Sequence, residues 1–475
     1  MTNIVIAGGG TSGWSAAAYL SKNKDFSITV IEPSDIPTIG VGESTIPYIN
    51  TFHTNTELEI FKNSAWLDEV DGTLKLSIEF ANYNRIGSKW IHPFLSGKSF
   101  DHEMVQKTCL SEISLSLYQD QTDFVIDNFS LPNIQYQGFL KNNKDDKVAS
   151  AGYHLNAKIY ANLLKRESLK RKNCICLDDS IEHISVVNDN IEKLVLKSGK
   201  VVSADIYIDS TGFKSILANA VNSKWDSSYT DRLFVDSALA VQLPYIDKAT
   251  QQKNTTYCHA LKHGWVWNVP LQSRIGTGYI FSSRHVTKEQ ALEEFKLHLQ
   301  DFYGYDPSEV QPRLVPFNVG IRPKSWKNNV IAIGLSSFFL EPIESTAIAT
   351  MHYQIETIYS LLTSKHILKE DKIKRFNYAN KLAVDSLASY IELHYIFSQR
   401  SDSKFWRDFK ALGLTDIQKK VLELYADPEK ELVKETVKAH TNGHSLFDQS
   451  SFMFLFLGYD IAPNQMTDRV REYLS

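Results

Sequence analysis

A chain of 475 residues, with 43% apolar, 12% aromatic and 22% charged side chains, has room for two or three packed units and lacks the composition of a disordered or fibrous protein. Its 51 Lys and Arg against 55 Asp and Glu leave a net charge of −4. That balance excludes a nucleic-acid or anionic-membrane footprint, so small-molecule partners are expected. Four cysteines, Cys109, Cys174, Cys176 and Cys258, include a C-x-C pair but no zinc spacing, which predicts neither a disulfide framework nor a metal site. The first seven residues enter a strand with no basic leader, and the apolar run 452–457 is far too short to span a membrane. A soluble, cytoplasmic protein with no membrane contact is expected.

In chain order, Ile4-Val5-Ile6-Ala7 predicts a buried strand, Gly8-Gly9-Gly10-Thr11-Ser12-Gly13 a tight turn, residues 14–22 a helix, and residues 27–31 a second strand closed by Glu32. This is a βαβ opening with a G-x-G-x-x-G loop. Such a loop lets a pyrophosphate approach the backbone at a helix N-terminus, and an acid ending the second strand can accept hydrogen bonds from a ribose. Residues 181–187, 191–196 and 201–208, separated by Asn188-Asp189-Asn190 and Ser198-Gly199, predict a three-stranded meander running into Asp209-Ser210-Thr211-Gly212. Another strand, 330–333, leads to Gly334-Leu335 and then Glu341-Pro342-Ile343-Glu344-Ser345-Thr346. Three separated segments are therefore expected to converge on one cofactor. Met351, Ile355, Ile358 and Leu362 form a helical stripe, and Phe376, Ala379, Ala383, Leu387, Tyr390 and Leu393 form a second, so the C-terminal part is expected to be mainly helical.

Five segments in order carry a resemblance: residues 8–14, Gly40-Val41-Gly42-Glu43-Ser44-Thr45-Ile46-Pro47, Trp265-Val266-Trp267-Asn268-Val269-Pro270, residues 341–346, and Arg400-Ser401-Asp402-Ser403-Lys404-Phe405-Trp406. With these the chain resembles the flavin-dependent halogenases of the tryptophan halogenase type over nearly its whole length. The resemblance implies an α/β fold: a Rossmann-like FAD-binding domain of the flavin monooxygenase type, a mixed β-sheet substrate region and a mainly helical C-terminal part. The expected division is a discontinuous module over 1–345 and a helical region over 346–475 that completes the substrate pocket. FAD, used as FADH2, would lie against Gly8, Gly10, Thr11, Ser12, Gly13, Glu32, Gly42, Asp209, Gly334, Leu335 and Ile348. Halide and O2 would be co-substrates. With a single dinucleotide loop in the sequence, FADH2 would come from a separate flavin reductase.

Residue roles follow from the same resemblance, each beside a plainer alternative. Lys75, in Gly72-Thr73-Leu74-Lys75-Leu76-Ser77-Ile78, is either a snorkelling or edge-strand lysine or the group that meets hypohalous acid arriving from the flavin. Glu344 is either a first-turn acid complementing a helix dipole or the base that takes the ring proton. Thr346 and Ala347 would hold halide with backbone N–H groups; the family usually has glycine where Ala347 stands. His92 and Phe94, in Trp90-Ile91-His92-Pro93-Phe94, would flank an aromatic substrate. Phe452 stands where the family has tryptophan, which predicts a preference for rings without a zwitterionic tail. Trp265 and Trp267 share one strand face, as core residues or as a barrier between the flavin and substrate chambers. Asn156, in Tyr153-His154-Leu155-Asn156-Ala157, replaces the family's aspartate.

The expected activity is FAD-dependent halogenation of an electron-rich indole or phenol. The alternatives are a single-component flavin-dependent aromatic hydroxylase, which Trp265, Trp267 and Lys75 argue against, and a non-catalytic flavin-binding protein. The sequence leaves the native substrate, halide preference and oligomeric state open.

Overall fold

In a computed structural model, the structure describes residues 1–35, 42–63, 65–94, 151–426, 446–447, 451–462 and 465–475, and the backbone alone of 140–141, 147–149 and 449–450. Cys109 and the Gly40-Val41 part of the second motif lie outside them. Three interleaved segments make up each of two compact units. One comprises Met1–Gly72, Leu155–Tyr229 and Phe317–Val384; the other comprises Thr73–His154, Thr230–Pro316 and Asp385–Ser475. This grouping differs from a division at 345/346, because the 28-residue helix Lys369–Ile396 gives its first part to one unit and its last to the other.

The first unit is built on a six-stranded sheet in the order Cys174–Leu177, Phe26–Ile31, Thr2–Ala7, Ile206–Asp209, Val330–Ala332, Trp326–Lys327. The first five strands run parallel and the last antiparallel. Ile4, Val5, Ile6 and Ala7 are all buried, as a central parallel strand covered on both faces requires. The helix Thr11–Leu20 lies against the helices Ala157–Ser168 and Ala347–Thr363.

The meander forms as expected at its first hairpin. Asn188 and Asp189 have φ of 49° and 57°, the two left-handed residues of a type I′ turn between Ile181–Val187 and Asn190–Leu196. The third predicted strand, 201–208, is in fact two. Val201–Val202 completes the meander against Leu194 and Val195, whereas Ile206–Asp209 leaves it to pair in parallel with Ile4–Ala7. The break falls at Asp205, whose N–H donates to Asn3 O (3.0 Å) and whose carboxylate accepts from Asn3 N (2.8 Å). Apolar alternation carries no mark of a change of partner.

The second unit centres on a seven-stranded sheet in the order Arg313–Pro316, Ser237–Leu243, Ile275–Phe281, Gly264–Pro270, Thr255–Ala260, Ser77–Ala81, Lys89–Pro93. One face is covered by the helix Lys288–Tyr303, which Thr287 and Gln290 start with a reciprocal capping box. Val266 and Tyr279 pack there with Ala291, Phe295 and Leu299. Side chains alternate along a strand, so Trp265 and Trp267 face away from that helix. The helix Gln449–Gly458 lies on the strand Lys89–Pro93. No described helix is long and apolar enough to cross a membrane.

Candidate active site

In the first unit the glycine loop, the turn after Ile206–Asp209 and the turn after Val330–Ala332 do converge. Gly8 takes φ of 101°, and a β-carbon there would stand 2.6 Å from Ser210 O. A β-carbon on Gly13 would overlap Gly8 O, and one on Gly334 would overlap Ser12 Oγ. The cradle is therefore closed by backbone at Gly8 and Gly13 and by the Ser12 side chain at Gly334, which favours glycine at all three. Gly10 caps the helix Thr11–Leu20 with no side chain, and no acid sits in the first turn, which leaves the N-terminal N–H groups of Thr11 and Ser12 to an anion. This loop fits a flavin dinucleotide.

Glu32 ends its strand as expected, with partners that were not legible in the sequence. Its Oε2 accepts from Lys165 Nζ (2.7 Å) and from Trp14 Nε1 (3.2 Å). A β-carbon on Gly9 would overlap the Glu32 carboxyl, so the glycine at the first variable position of the loop is there to seat that acid. Asp209 is fully buried, and its carboxylate accepts from Thr211 N and Oγ1, Ser336 Oγ, Leu217 N and Ala218 N. Those bonds tie two of the converging turns together, so Asp209 shapes the site through the backbone it holds.

The segment before the helix Ala347–Thr363 carries the other candidates. Glu341 and Glu344 are both buried, and Ser345, at φ 57°, turns the chain into the helix while its hydroxyl donates to Ser44 Oγ (3.0 Å). Thr346 is the N-cap, and its buried hydroxyl has no hydrogen-bond partner among the described residues. An orphaned hydroxyl beside unused helix N–H groups fits an anion at Thr346 and Ala347. Ile348 is buried in the first turn and Leu335 is half-buried beside Gly334. Near Gly42, desolvation pushes the Glu43 carboxyl up to about 7, although part of its side chain stays accessible.

In the second unit Lys75 ends the strand Thr73–Lys75, is fully buried, and sits opposite Gly152 on the neighbouring strand. Its Nζ lies 5.1 Å from the centre of the Phe94 ring, within cation–π range. His154, two strand pairs away, bonds Thr73 Oγ1 and Thr256 Oγ1 at 2.9 Å each. Burial, and then the charge of Lys75, holds this imidazole well below the ordinary histidine value. His154 is therefore held neutral beside Lys75.

Around His92 the rings of Phe94, Tyr390 and Phe454 lie at 6.2, 6.4 and 6.3 Å. Phe447 stacks on Tyr390 at 3.7 Å and Phe452 meets it edge-on at 5.0 Å. Lys75, His92, Phe94 and Phe452 thus belong to one aromatic-walled region. Phe452 meets Tyr390, and Phe454 lies against His92. Tyr390, Phe447 and Phe454 carried no individual signal beyond their apolar pattern.

Trp265 and Trp267 are buried on the strand Gly264–Pro270. Trp267 lies across Gly278 of the next strand, and Thr277 Oγ1 donates to its carbonyl at 2.6 Å. The Arg400–Trp406 motif braces the turn leading into this strand. Arg400 binds Asp402 twice (2.9 and 2.8 Å) and the carbonyls of Asn82 and Ala260, while Trp406 Nε1 donates to Leu261 O. The Arg400 bonds hold the Asp402 carboxyl below the usual range.

The profile of the tryptophan halogenase family matches residues 3–473. The chain belongs to the tryptophan halogenase family. It is 32% identical over 442 residues to tryptophan 7-halogenase RebH of Lentzea aerocolonigenes, covering 89% of this chain and 81% of that protein. It is 30% identical over 439 residues to tryptophan 6-halogenase SttH of Streptomyces toxytricini, covering 87% and 82%. Among solved structures, the tryptophan halogenase of Shewanella frigidimarina superposes with a TM-score of 0.82 at 26% identity, over 99% of this chain and 92% of that one. Tar14, a tryptophan C-6 flavin-dependent halogenase from taromycin biosynthesis, gives 0.80 at 28% over 99% and 93%. This halogenase is accordingly a flavin-dependent oxidoreductase that uses FADH2, halide and O2.

Proposed function

We propose that this halogenase substitutes a carbon of an indole-type ring, with Lys75 and Glu344 carrying the chemistry. Reduced flavin, with O2 and halide, supplies the electrophilic halogen as hypohalous acid. The observation that carries the reading is a fully buried lysine against Phe94, in the region walled by His92, Tyr390 and Phe454. Flat walls hold a flat ring and limit which carbon faces the reagent. The Lys75 ammonium donates a hydrogen bond to the oxygen of hypohalous acid. As the ring attacks the halogen, the halogen–oxygen bond breaks and the oxygen leaves as water with the proton from Lys75. The Glu344 carboxylate takes the ring proton, and the C–H electron pair restores aromaticity. Thr346 and Ala347 N–H groups hold the halide, and the family resemblance gives Trp265 and Trp267 as the barrier residues.

A single glycine loop supports delivery of FADH2 by a separate flavin reductase. Phe452, Phe454 and Phe456 are buried and apolar, which favours rings without a zwitterionic tail, because a buried charge without a partner is costly. The test is turnover of indole, a phenol and free tryptophan with FAD, a reductase, NADH and each of chloride, bromide and iodide, read by mass spectrometry. Halogenated indole is expected, with tryptophan poorer. Oxygenated product formed without halide would overturn the reading in favour of a hydroxylase.

A further inference from the structure

The Glu32 carboxylate sits on the glycine loop with its Oε2 taken by two donors from different helices, Lys165 on Ala157–Ser168 and Trp14 on Thr11–Leu20. Its Oε1 is directed at Gly9, over which only a residue lacking a β-carbon leaves room. A second carboxylate, Asp178, lies close by and accepts from Ser34 N at 2.8 Å. Lys165 feels Glu32, Asp178 and the Cys176 thiol together. Partial burial lowers its pKa, but the Glu32 hydrogen bond and these neighbours raise it on balance. Without this cation the Glu32 carboxylate over Gly9 would keep its full negative charge, with Asp178 adding to it near Lys165, and negative charge at the loop opposes binding of an anionic dinucleotide.

We propose that Lys165 is a positioning residue for the adenosine half of FAD, which fixes the Glu32 carboxylate so that one oxygen stays available to the ribose hydroxyls. The inference rests on the reading of residues 8–13 and Glu32 as the FAD site. Lys165 acts through Glu32 and offsets the charge of Asp178. Such a pair, about one-third exposed at the lysine and one-fifth at the glutamate, contributes little to folding. It matters to binding because a charge-assisted bond keeps the acceptor aimed.

The experiment titrates FAD into the apo chain by flavin fluorescence, with ADP as a competitor that carries only the adenosine half. Lys165→Met should raise the dissociation constants of both FAD and ADP about tenfold, with the apo melting temperature unchanged, and Lys165→Arg should restore most of the loss. In Glu32→Gln the same lysine substitution should add little, because its route of action has been removed. Unchanged affinities in Lys165→Met, losses that add fully to those of Glu32→Gln, or a matching fall in apo stability would each overturn the inference. Unchanged FAD affinity in Glu32→Gln would instead sink the ribose reading on which it rests.

Discussion

Gly278 offers the sharpest test of how the tryptophan strand is held. A β-carbon added there would overlap Cη2 of Trp267 and stand 2.5 Å from both its Cζ2 and Leu239 O, about 1 Å inside ordinary contact. Neither neighbour can give easily. Leu239 O belongs to the strand Ser237–Leu243, paired on both sides, and Trp267 is only 9% exposed. Overpacking of this kind costs about 1–3 kcal/mol, and a backbone clash places Gly278→Ala at the upper end, about 3 kcal/mol. Trp267→Phe removes Cζ2 and Cη2 but leaves Leu239 O, so Gly278→Ala in that background should cost about half as much. Urea unfolding of the four proteins gives the cycle, and product formed per FADH2 consumed reports whether a displaced Trp267 impairs delivery to the ring. Equal costs of Gly278→Ala in both backgrounds would refute the argument that the indole is what the glycine accommodates.

Lys75→Ala should abolish halogenation while leaving FAD affinity intact, since the lysine acts downstream of the flavin; loss of flavin binding, read by fluorescence, would make it a fold residue. Glu344→Gln should lower kcat by at least tenfold with a smaller change in KM, because it removes a proton acceptor rather than a substrate contact; near-normal steady-state turnover would leave Glu344 as a helix-start acid. Burial, and then His259, lower the His298 pKa to about 3, below the unfolded value of about 6.5. The unfolded chain therefore binds a proton that the folded chain does not, so this contribution is present above about pH 6.5 and is lost as pH falls towards 3. His298→Phe should flatten the decline of unfolding free energy over that window by up to about 1.4 kcal/mol per pH unit, and an unaltered slope would refute the assignment.

The site was legible in uneven measure. The glycine loop was readable because a turn, a helix start and two strands are contiguous, and each obeys local rules of period and space. The role of Gly9 was not, because the group it makes room for, the Glu32 carboxyl, is placed by a different strand and fixed by a lysine 133 residues beyond it. Lys75 stood out as a charge in an apolar run, and its burial against Phe94 agrees with that contrast. Tyr390, Phe447 and Phe454 looked like ordinary core aromatics, because helical spacing records that a face is apolar and says nothing of which other rings it meets.

By itself the sequence determined the α/β opening, the common face of Trp265 and Trp267, the turn at Asn188-Asp189-Asn190 and the helices beyond residue 346. In each, the deciding forces act within a few residues: side-chain alternation, left-handed turn geometry and helical period. Only the tertiary structure decided that residues 201–208 divide between two sheets, that Gly278 lies beneath Trp267, that Asp209 spends its carboxylate on backbone, and that Lys165 closes on Glu32. These depend on which distant strands and helices become neighbours. Packing settles that choice over the whole chain at once, and periodicity along the chain leaves it open.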